Sequence, residues 1–218
     1  MKKITSNNTY KIMSMEPEKR ERIINAALSE FCKGYKQAST DAIVRKAGIS
    51  KGLLFHYFAT KKELLTFLFD YATNKLATDL VGRIDFDEPD LLERLWKMTT
   101  LKMEMIFQYP AIFDFIVAIF LGKESEFSEL QKQVTNSFQL SWDQIFNQID
   151  YSLFKTNIDP PTAIEVIRHT FSGYSDTIIE RFKAQDETLQ MNESEAYFNE
   201  VLEQTKKYMD FFRKTFYK

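Results

Sequence analysis

The segment Ser39–Glu63 places hydroxyl and ammonium groups at the starts of successive predicted helices. Free backbone N–H groups and the helix dipole make such positions favourable for phosphate oxygens. Hydroxyl and ammonium side chains there add further donors. This spacing therefore indicates a surface that binds a polyanion. The side chains concerned are Ser39, Thr40, Ser50, Lys51 and Lys61.

Two short helices joined by a tight turn must position these groups. Ser39 or Thr40 can cap the first of them, and Gly48 makes the turn, where a positive φ costs glycine little. Ser50 caps the second helix, in which Leu54 and Phe58 lie four residues apart and share the buried face. A T-x-x-E capping box then opens a longer helix. This order predicts a helix-turn-helix unit.

The second helix has an outward face once Leu54 and Phe58 are buried. A helix face of this kind fits a DNA major groove, which is about 12 Å wide. We expect Lys51 to contact a phosphate or guanine, and Gly52 to allow close backbone approach. His56 is interpreted either as a phosphate donor or as an ordinary surface residue. The outward residues are Lys51, Gly52, Leu53, Phe55, His56 and Tyr57.

The charge is distributed unevenly along the chain. Residues 1–66 carry thirteen Lys and Arg against six Asp and Glu, a net charge of +7. Residues 67–218 carry sixteen against twenty-five, a net charge of −9. Because residues 1–66 are basic and residues 67–218 are acidic, we expect the N-terminal part to bind a polyanion.

The segment Ala47–Leu64 reads A-G-I-S-K-G-L-L-F-H-Y-F-A-T-K-K-E-L, and Ile23–Phe31 reads I-I-N-A-A-L-S-E-F. Together they resemble the DNA-binding domain of the tetracycline-repressor (TetR) family of bacterial regulators, over residues 18–66. Phe55 departs from the family, which often has Tyr there, and it lacks a hydroxyl for a polar contact. The resemblance implies groove and phosphate contacts at Thr40, Ser50, Lys51, Gly52, Leu53, Phe55, Tyr57 and Lys61.

The remainder of the chain also predicts helices, so the expected fold is all-α. We find no alternating strand pattern. The expected organisation is a flexible basic tail (1–15), a helix-turn-helix domain (16–66) and a larger helical bundle (67–218). The bundle helices are expected at 89–109, 110–122, 125–154 and 159–185, with a last helix opened by Asn192 and Glu195.

The last two helices each carry two apolar stripes. One stripe can pack in the core, and the other either packs in the same core or meets a second copy of the chain. The resemblance favours a dimer, in which two recognition helices would read a palindromic DNA operator. It also implies that the bundle binds a small effector.

Aromatic side chains in the bundle are candidates for an apolar effector cavity, although ordinary core packing explains any single one of them better. Glu104 or Asp114 would suit a cationic effector, whereas Arg168 and His169 would suit a carboxylate. The sequence leaves this choice open. The candidate lining residues are Trp96, Met103, Phe107, Phe113, Phe120, Phe138, Trp142 and Phe171.

The amino-acid composition argues against an enzyme. Two His and one Cys leave little material for a nucleophilic dyad or a metal site, and no phosphate-binding glycine motif is present. We therefore expect no cofactor and no metal. A single cysteine allows no intramolecular disulfide, and the sequence has no apolar run of 18 residues, so we expect a cytoplasmic location without a membrane. The leading hypothesis is a homodimeric repressor released by a hydrophobic effector. The alternative is a helical ligand-binding or protein-interaction module that does not bind specific DNA.

Overall fold

The computed structural model describes residues 9–81, 83–184 and 195–218. These ranges contain α-helices and two 3-10 turns but no strand, and Phe154 and Tyr217 form an isolated bridge. The all-α prediction is confirmed. The helices are α1 Thr9–Met13, α2 Pro17–Phe31, α3 Thr40–Ala47, α4 Lys51–Tyr57, α5 Lys61–Val81, α6 Leu91–Gln108, α7 Pro110–Leu121, α8 Ser128–Ile145, α9 Pro160–Ala184 and α10 Glu195–Phe216.

The chain divides into two compact units. The first contains the chain up to Asp79 together with Ala111–Val134, so α7 belongs to the same unit as α2 to α4. The second contains Leu80–Pro110 and Thr135–Lys218. Helix α8 begins in the first unit and ends in the second. The domain boundaries expected from the sequence stay a prediction.

Local capping explains where the helices of the first unit begin. The Glu16 carboxylate accepts hydrogen bonds from the amides of Glu18 and Lys19 at the start of α2, and these bonds lower the pKa of Glu16. The expected T-x-x-E box is present in half: the Glu63 amide donates to Thr60 Oγ1 at 3.1 Å, but the Glu63 carboxylate accepts from the Ala59 amide rather than from the Thr60 amide. These side chains satisfy N–H groups that have no partner within the helix.

Helix α1 lies in the segment expected to be a flexible tail. Its Ile12 side chain is completely buried, and α1 contacts α4. The second half of the expected tail therefore packs on the unit, driven by an apolar side chain that the basic composition of residues 1–15 had obscured.

The second unit is built around α6, α9 and α10. Its core is formed mainly by side chains from these helices, with contributions from the end of α8 and from the segment before α9. Arg94 is unusual there, because the residue is only 2% exposed and its guanidinium donates to backbone carbonyl groups. The buried core residues include Leu91, Leu92, Leu95, Met98, Ile145, Phe154, Ala163, Ile167, Phe171, Met209 and Phe212.

Two boundaries of the second unit differ from the expected ones. Helix α6 starts at Leu91 rather than at Pro89, because the Asp90 carboxylate caps it through the Leu92 amide at 2.9 Å. Helix α8 ends at Ile145 rather than near Phe154, and a 3-10 turn follows at Tyr151–Leu153. The expected Asn192 cap of the last helix lies outside the described residues.

Within the described ranges, no single helix is long and apolar enough to cross a membrane. The bent pair α6 and α7 meets that criterion only when the two helices are taken together, by length and composition alone.

Candidate nucleic-acid interface

The turn between α3 and α4 is fixed by two caps and one glycine. Ser39 Oγ accepts the Ala42 amide at 3.3 Å, so Ser39 is the cap of α3 and Thr40 is its first residue. Gly48 ends α3 at φ 66°, in the left-handed region that glycine adopts without strain. Ser50 Oγ then accepts the Leu53 amide at 3.2 Å and starts α4. The helix-turn-helix unit expected from the sequence is therefore present.

Helix α4 is anchored on one side and open on the other. Leu54 and Phe58 are only 2% and 3% exposed, as their spacing predicted. Phe55 is 39% exposed, so its ring is not part of the core of the described residues. Ser50, Lys51, Gly52 and His56 are also exposed, and Leu53 and Tyr57 are half-buried. The predicted contact residues of α4 thus share one accessible surface.

Gly52 has no structural need to be glycine in the free protein. Its φ is not positive, and a Cβ atom placed on it would meet no heavy atom within 4 Å. Glycine inside a helix is less stable than alanine by about 0.5–1 kcal/mol. The open space above Gly52 is therefore a place where another molecule can approach the backbone closely.

Lys51 is paired within the unit. Its ammonium nitrogen lies 2.7 Å from Asp41 Oδ1 on α3, and both side chains are more than half exposed. An exposed pair of this kind contributes little to stability, and salt screens it. The ammonium group therefore remains available to a phosphate, which would replace the Asp41 carboxylate.

Lys61 is engaged in a different way from the predicted phosphate contact. Its ammonium lies 4.7 Å from the centre of the Tyr35 ring, and it donates to the Lys36 carbonyl at 3.5 Å. A phosphate contact would require Lys61 to leave the ring or to be shared with it. In the free protein, Lys61 supports the loop between α2 and α3.

Arg45 is a candidate contact that the sequence reasoning missed. It is exposed in the last turn of α3 and lies four residues after Asp41, so both side chains share one helix face. Asp41 pairs with Lys51 on that face. The i, i+4 spacing from Asp41 was the available signal, and it places a second cation beside α4.

Comparison with known proteins supports this geometry. The family model described as bacterial regulatory proteins, tetR family, matches residues 23–66, which include α3 and α4. The chain is also 35% identical over 88 residues to the HTH-type transcriptional regulator SrpR of Pseudomonas putida. That match covers 39% of this chain and only 38% of SrpR, so it spans well under two thirds of that relative. Residues 23–66 thus match the tetR-type DNA-binding segment of bacterial regulatory proteins.

Solved structures with TetR-like folds align with most or nearly all of the chain. A TetR family transcriptional regulator from Chloroflexus aurantiacus J-10-FL superposes with a TM-score of 0.60 at 19% identity, covering 96% of this chain and 98% of that one. FadR from Bacillus subtilis, solved in complex with stearoyl-CoA, gives a TM-score of 0.53 at 18% identity, covering 85% and 96%. At these identities the similarity shows the fold alone. Both units of the chain are therefore covered by the fold comparison.

The candidate effector residues are distributed over both units. Phe113 and Phe120 belong to α7 in the first unit and are half-buried. In the second unit, Phe171 is a core residue, and Trp96 and Trp142 pack against that core. Phe107 is 47% exposed, with its ring centre 5.2 Å from that of Phe198, and Met103 is half-buried. The Phe138 side chain lies outside the described residues. Their role as a lining stays a prediction.

Of the four charged residues considered for the effector, two pair with protein side chains, and Asp114 is half-buried on α7 in the first unit. Glu104 is exposed and pairs with Arg83. Arg168 pairs with Asp143 at 3.4 Å, and its guanidinium carbon lies 4.8 Å from the centre of the Phe146 ring. His169 is exposed and lines a groove between α9 and α10. None of these three side chains is an isolated charge inside the described core.

Cys32 offers no reactive thiolate at neutral pH. Burial is the main cause that raises the pKa of its thiol to about 12, and the Asp114 carboxylate adds to the effect. A thiol with such a pKa is protonated and therefore a weak nucleophile.

Proposed function

We propose that the chain is a homodimeric, sequence-specific DNA-binding transcriptional regulator, a repressor that a hydrophobic small molecule releases from its operator. The outward face of α4 supports this proposal most directly. It combines exposed Lys51, Phe55 and His56 with an open backbone at Gly52, above an anchor of two buried side chains. This arrangement suits insertion of the N-terminal part of a recognition helix into a major groove.

Replacing Lys51 by Ala is expected to weaken operator binding and to flatten its salt dependence. Each phosphate contact releases a counterion, so loss of one contact reduces the slope of log K against log salt by about 1. Fluorescence anisotropy titrations would measure the affinity at salt concentrations from about 50 to about 300 mM, a range that brackets physiological ionic strength. The DNA is a duplex that the protein selects from a random pool.

Lys132 provides a matched control for this experiment. It is an exposed lysine of α8 that pairs with Glu129 one turn away, so Lys132→Ala removes the same charge from a different helix. Its salt slope should equal that of the wild type. An unchanged slope in Lys51→Ala would show that Lys51 does not contact the DNA.

The dimer proposal is supported by the two faces of α9. Ala163, Ile167 and Phe171 are buried in the core of the second unit. Val166, Gly173 and Thr177 are exposed on another face, although they include an apolar and a small residue. Phe211 of α10 is 60% exposed. An apolar surface of this kind on paired helices suits the same surface of a second copy.

A groove between α9 and α10 gives this surface its shape. Its volume is about 470 Å³, and Tyr174 and Tyr208 form an edge-to-face pair at 5.5 Å beside it. Arg181 and Glu200 close one end with a 2.7 Å ion pair. The lining residues are His169, Thr170, Gly173, Tyr174, Thr177, Arg181, Glu200, Gln204 and Tyr208.

Replacing Gly173 by Arg is expected to convert the dimer into a folded monomer. A Cβ atom at Gly173 meets nothing within 4 Å in the protomer, so the protomer can accept a side chain there. In an isologous dimer the same arginine would be inserted twice, with its charge, into the interface. Sedimentation analysis would report the mass, and circular dichroism would report retention of the helices.

Asn199→Arg is the control for the Gly173 experiment. Asn199 is exposed on α10 and does not line the groove, so this variant should remain dimeric. A Gly173→Arg protein with the same mass as the wild type would place the dimer interface elsewhere.

An apolar effector with an acidic group is the ligand class that the second unit favours. Lys102 of α6 lies four residues after Met98 and three before Met105, both of which are buried. It is half-buried, burial lowers the pKa of its ammonium, and it forms no hydrogen bond or ion pair among the described residues. A ligand acid would supply the missing opposite charge. The stearoyl-CoA bound by B. subtilis FadR is an acyl ligand that also carries acidic groups.

A further inference from the structure

A carboxylate from the α7–α8 connector (Gly122–Phe127) holds the loop that precedes α3. The Lys36 amide donates to Glu124 Oε1 at 2.8 Å, and the neighbouring Tyr35 amide donates to Glu124 Oε2. All three residues belong to the first unit, although Glu124 follows the loop by almost ninety residues. Within the described residues, these two amides form no other backbone hydrogen bond. Hydrogen bonds from backbone N–H groups to an ionised acceptor are stronger than those between neutral groups.

The connector is held in place on both sides of Glu124. A Cβ atom on Gly122 would lie 2.4 Å from Phe127 Cδ2 and 2.8 Å from the Ala118 carbonyl oxygen, so only glycine fits. Phe127 is buried, and Gln131 Nε2 donates to the Ile119 and Gly122 carbonyl groups at 2.9 and 2.6 Å. Glu124 is therefore presented from a backbone with little freedom.

The loop is shaped to receive this carboxylate. Gly34 has a φ of 98°, and a Cβ atom there would lie 3.1 Å from Glu124 Oε2. At the end of the loop, Glu30 Oε2 accepts the Ser39 amide at 3.3 Å. Burial raises the pKa of Glu30, but hydrogen bonds from Lys33 and the Ser39 amide outweigh it and lower the pKa overall. Two acidic side chains thus fix the backbone up to the cap of α3.

We propose that Glu124 is a positioning residue for operator recognition, which fixes the loop before α3 and thereby the placement of the helix-turn-helix. This inference rests on the proposed DNA-binding function. Without Glu124, the Tyr35 and Lys36 amides bond to water and the loop samples more conformations. Binding to DNA must then restore one conformation, and this ordering lowers affinity.

Replacing Glu124 by Ala is expected to weaken binding to the selected duplex by about tenfold, since hydrogen bonds to charged groups contribute on that scale. Glu124→Gln should fall between Ala and the wild type, because its amide retains a single acceptor oxygen. Hydrogen exchange followed by NMR on the full chain should show lost protection at Tyr35 and Lys36 in Glu124→Ala. The Ile43 amide, which donates to the Ser39 carbonyl at 3.0 Å, should keep its protection.

Glu126→Gln is the matched control, because it removes the same charge from the same connector. Its carboxylate accepts from Ser125 Oγ and makes no hydrogen bond to the loop. Equal affinity for Glu124→Ala and wild type, or equal losses for the Glu124 and Glu126 variants, would overturn the positioning role. So would rapid exchange of both amides in the wild type.

The positioning role and the proposed function fail in different ways. If the wild type shows no preference for the selected duplex, DNA recognition by this chain is refuted, and with it any positioning role for Glu124 in that recognition. If the wild type prefers the duplex and Glu124→Ala shares its affinity, only the positioning role is refuted.

Discussion

Replacing Gly52 by Ala is expected to stabilise the free protein while it weakens binding to DNA. The free-energy gain should be about 0.5 kcal/mol, near the lower end of the glycine-to-alanine difference, because Gly52 lies in the first turn of α4. The new methyl group meets no protein atom. It would instead occupy space into which we expect the DNA to fit, and overpacking of a close interface costs about 1–3 kcal/mol. Affinity should therefore fall roughly tenfold or more.

Urea unfolding at 25 °C and anisotropy titration would measure these two opposite effects. Ala77→Gly is a suitable control, because Ala77 is exposed on α5 and outside the α4 surface. That variant should lose about 0.5–1 kcal/mol of stability, with unchanged DNA affinity. If Gly52→Ala binds DNA as tightly as the wild type, the start of α4 does not approach the DNA backbone or bases.

Replacing Arg94 by Leu is expected to destabilise the protein by about 3 kcal/mol, since it leaves one buried and two part-buried hydrogen-bonded carbonyl groups without this donor, and a buried carbonyl without a donor costs about 1–3 kcal/mol. Arg94 Nε donates to the Glu88 carbonyl at 2.9 Å, and Arg94 Nη1 donates to the Ile145 and Asn147 carbonyls at 2.8 and 2.7 Å. The guanidinium thus joins the start of α6 to the end of α8. Burial lowers its pKa, but a guanidinium remains charged at all ordinary pH values.

Arg213→Leu gives the comparison for this experiment. Arg213 is exposed and pairs with Asp90 at 3.0 Å and with Glu93 at 3.2 Å, so both arginines bind oxygen atoms of the same unit. Exposed ion pairs contribute about 0–1 kcal/mol. Equal losses of unfolding free energy in the two variants would contradict a special role for the buried guanidinium.

Local signals made the helix-turn-helix predictable. Ser50, Gly48 and the Leu54–Phe58 pair each act within a few residues, and the structure shows the cap, the left-handed turn and the buried pair at those positions. The sequence could not separate Ser39 from Thr40 as the cap, because both hydroxyls are chemically suitable.

Features that depend on distant residues were not predictable in the same way. Helix α8 ends at Ile145, although neither Gly nor Pro lies beside that residue. Arg94 donates to the Ile145 carbonyl at this end, and Gln148 shortly after it adopts a φ of 55°. The bond from Glu124 to the loop before α3 joins segments that the sequence separates widely. Such contacts follow from tertiary packing, which residue spacing within one helix does not report.

The candidate effector residues show the same division. Their aromatic character correctly indicated packing residues, since Phe171, Trp96 and Trp142 belong to or border the core of the second unit. Their distribution over two units could not be read from helical periodicity, because α7 joins the helix-turn-helix unit while α6 does not.

The most direct test of the DNA-reading face of α4 is the affinity of the wild type for two duplexes. One duplex is the sequence that the protein selects from a random pool, and the other is a scrambled sequence of identical length and composition. At moderate salt we expect a preference of about 10³ or more for the selected duplex, the lower end of the usual specificity range. Equal affinity for both duplexes, falling together as salt rises, would contradict sequence-specific recognition by this chain.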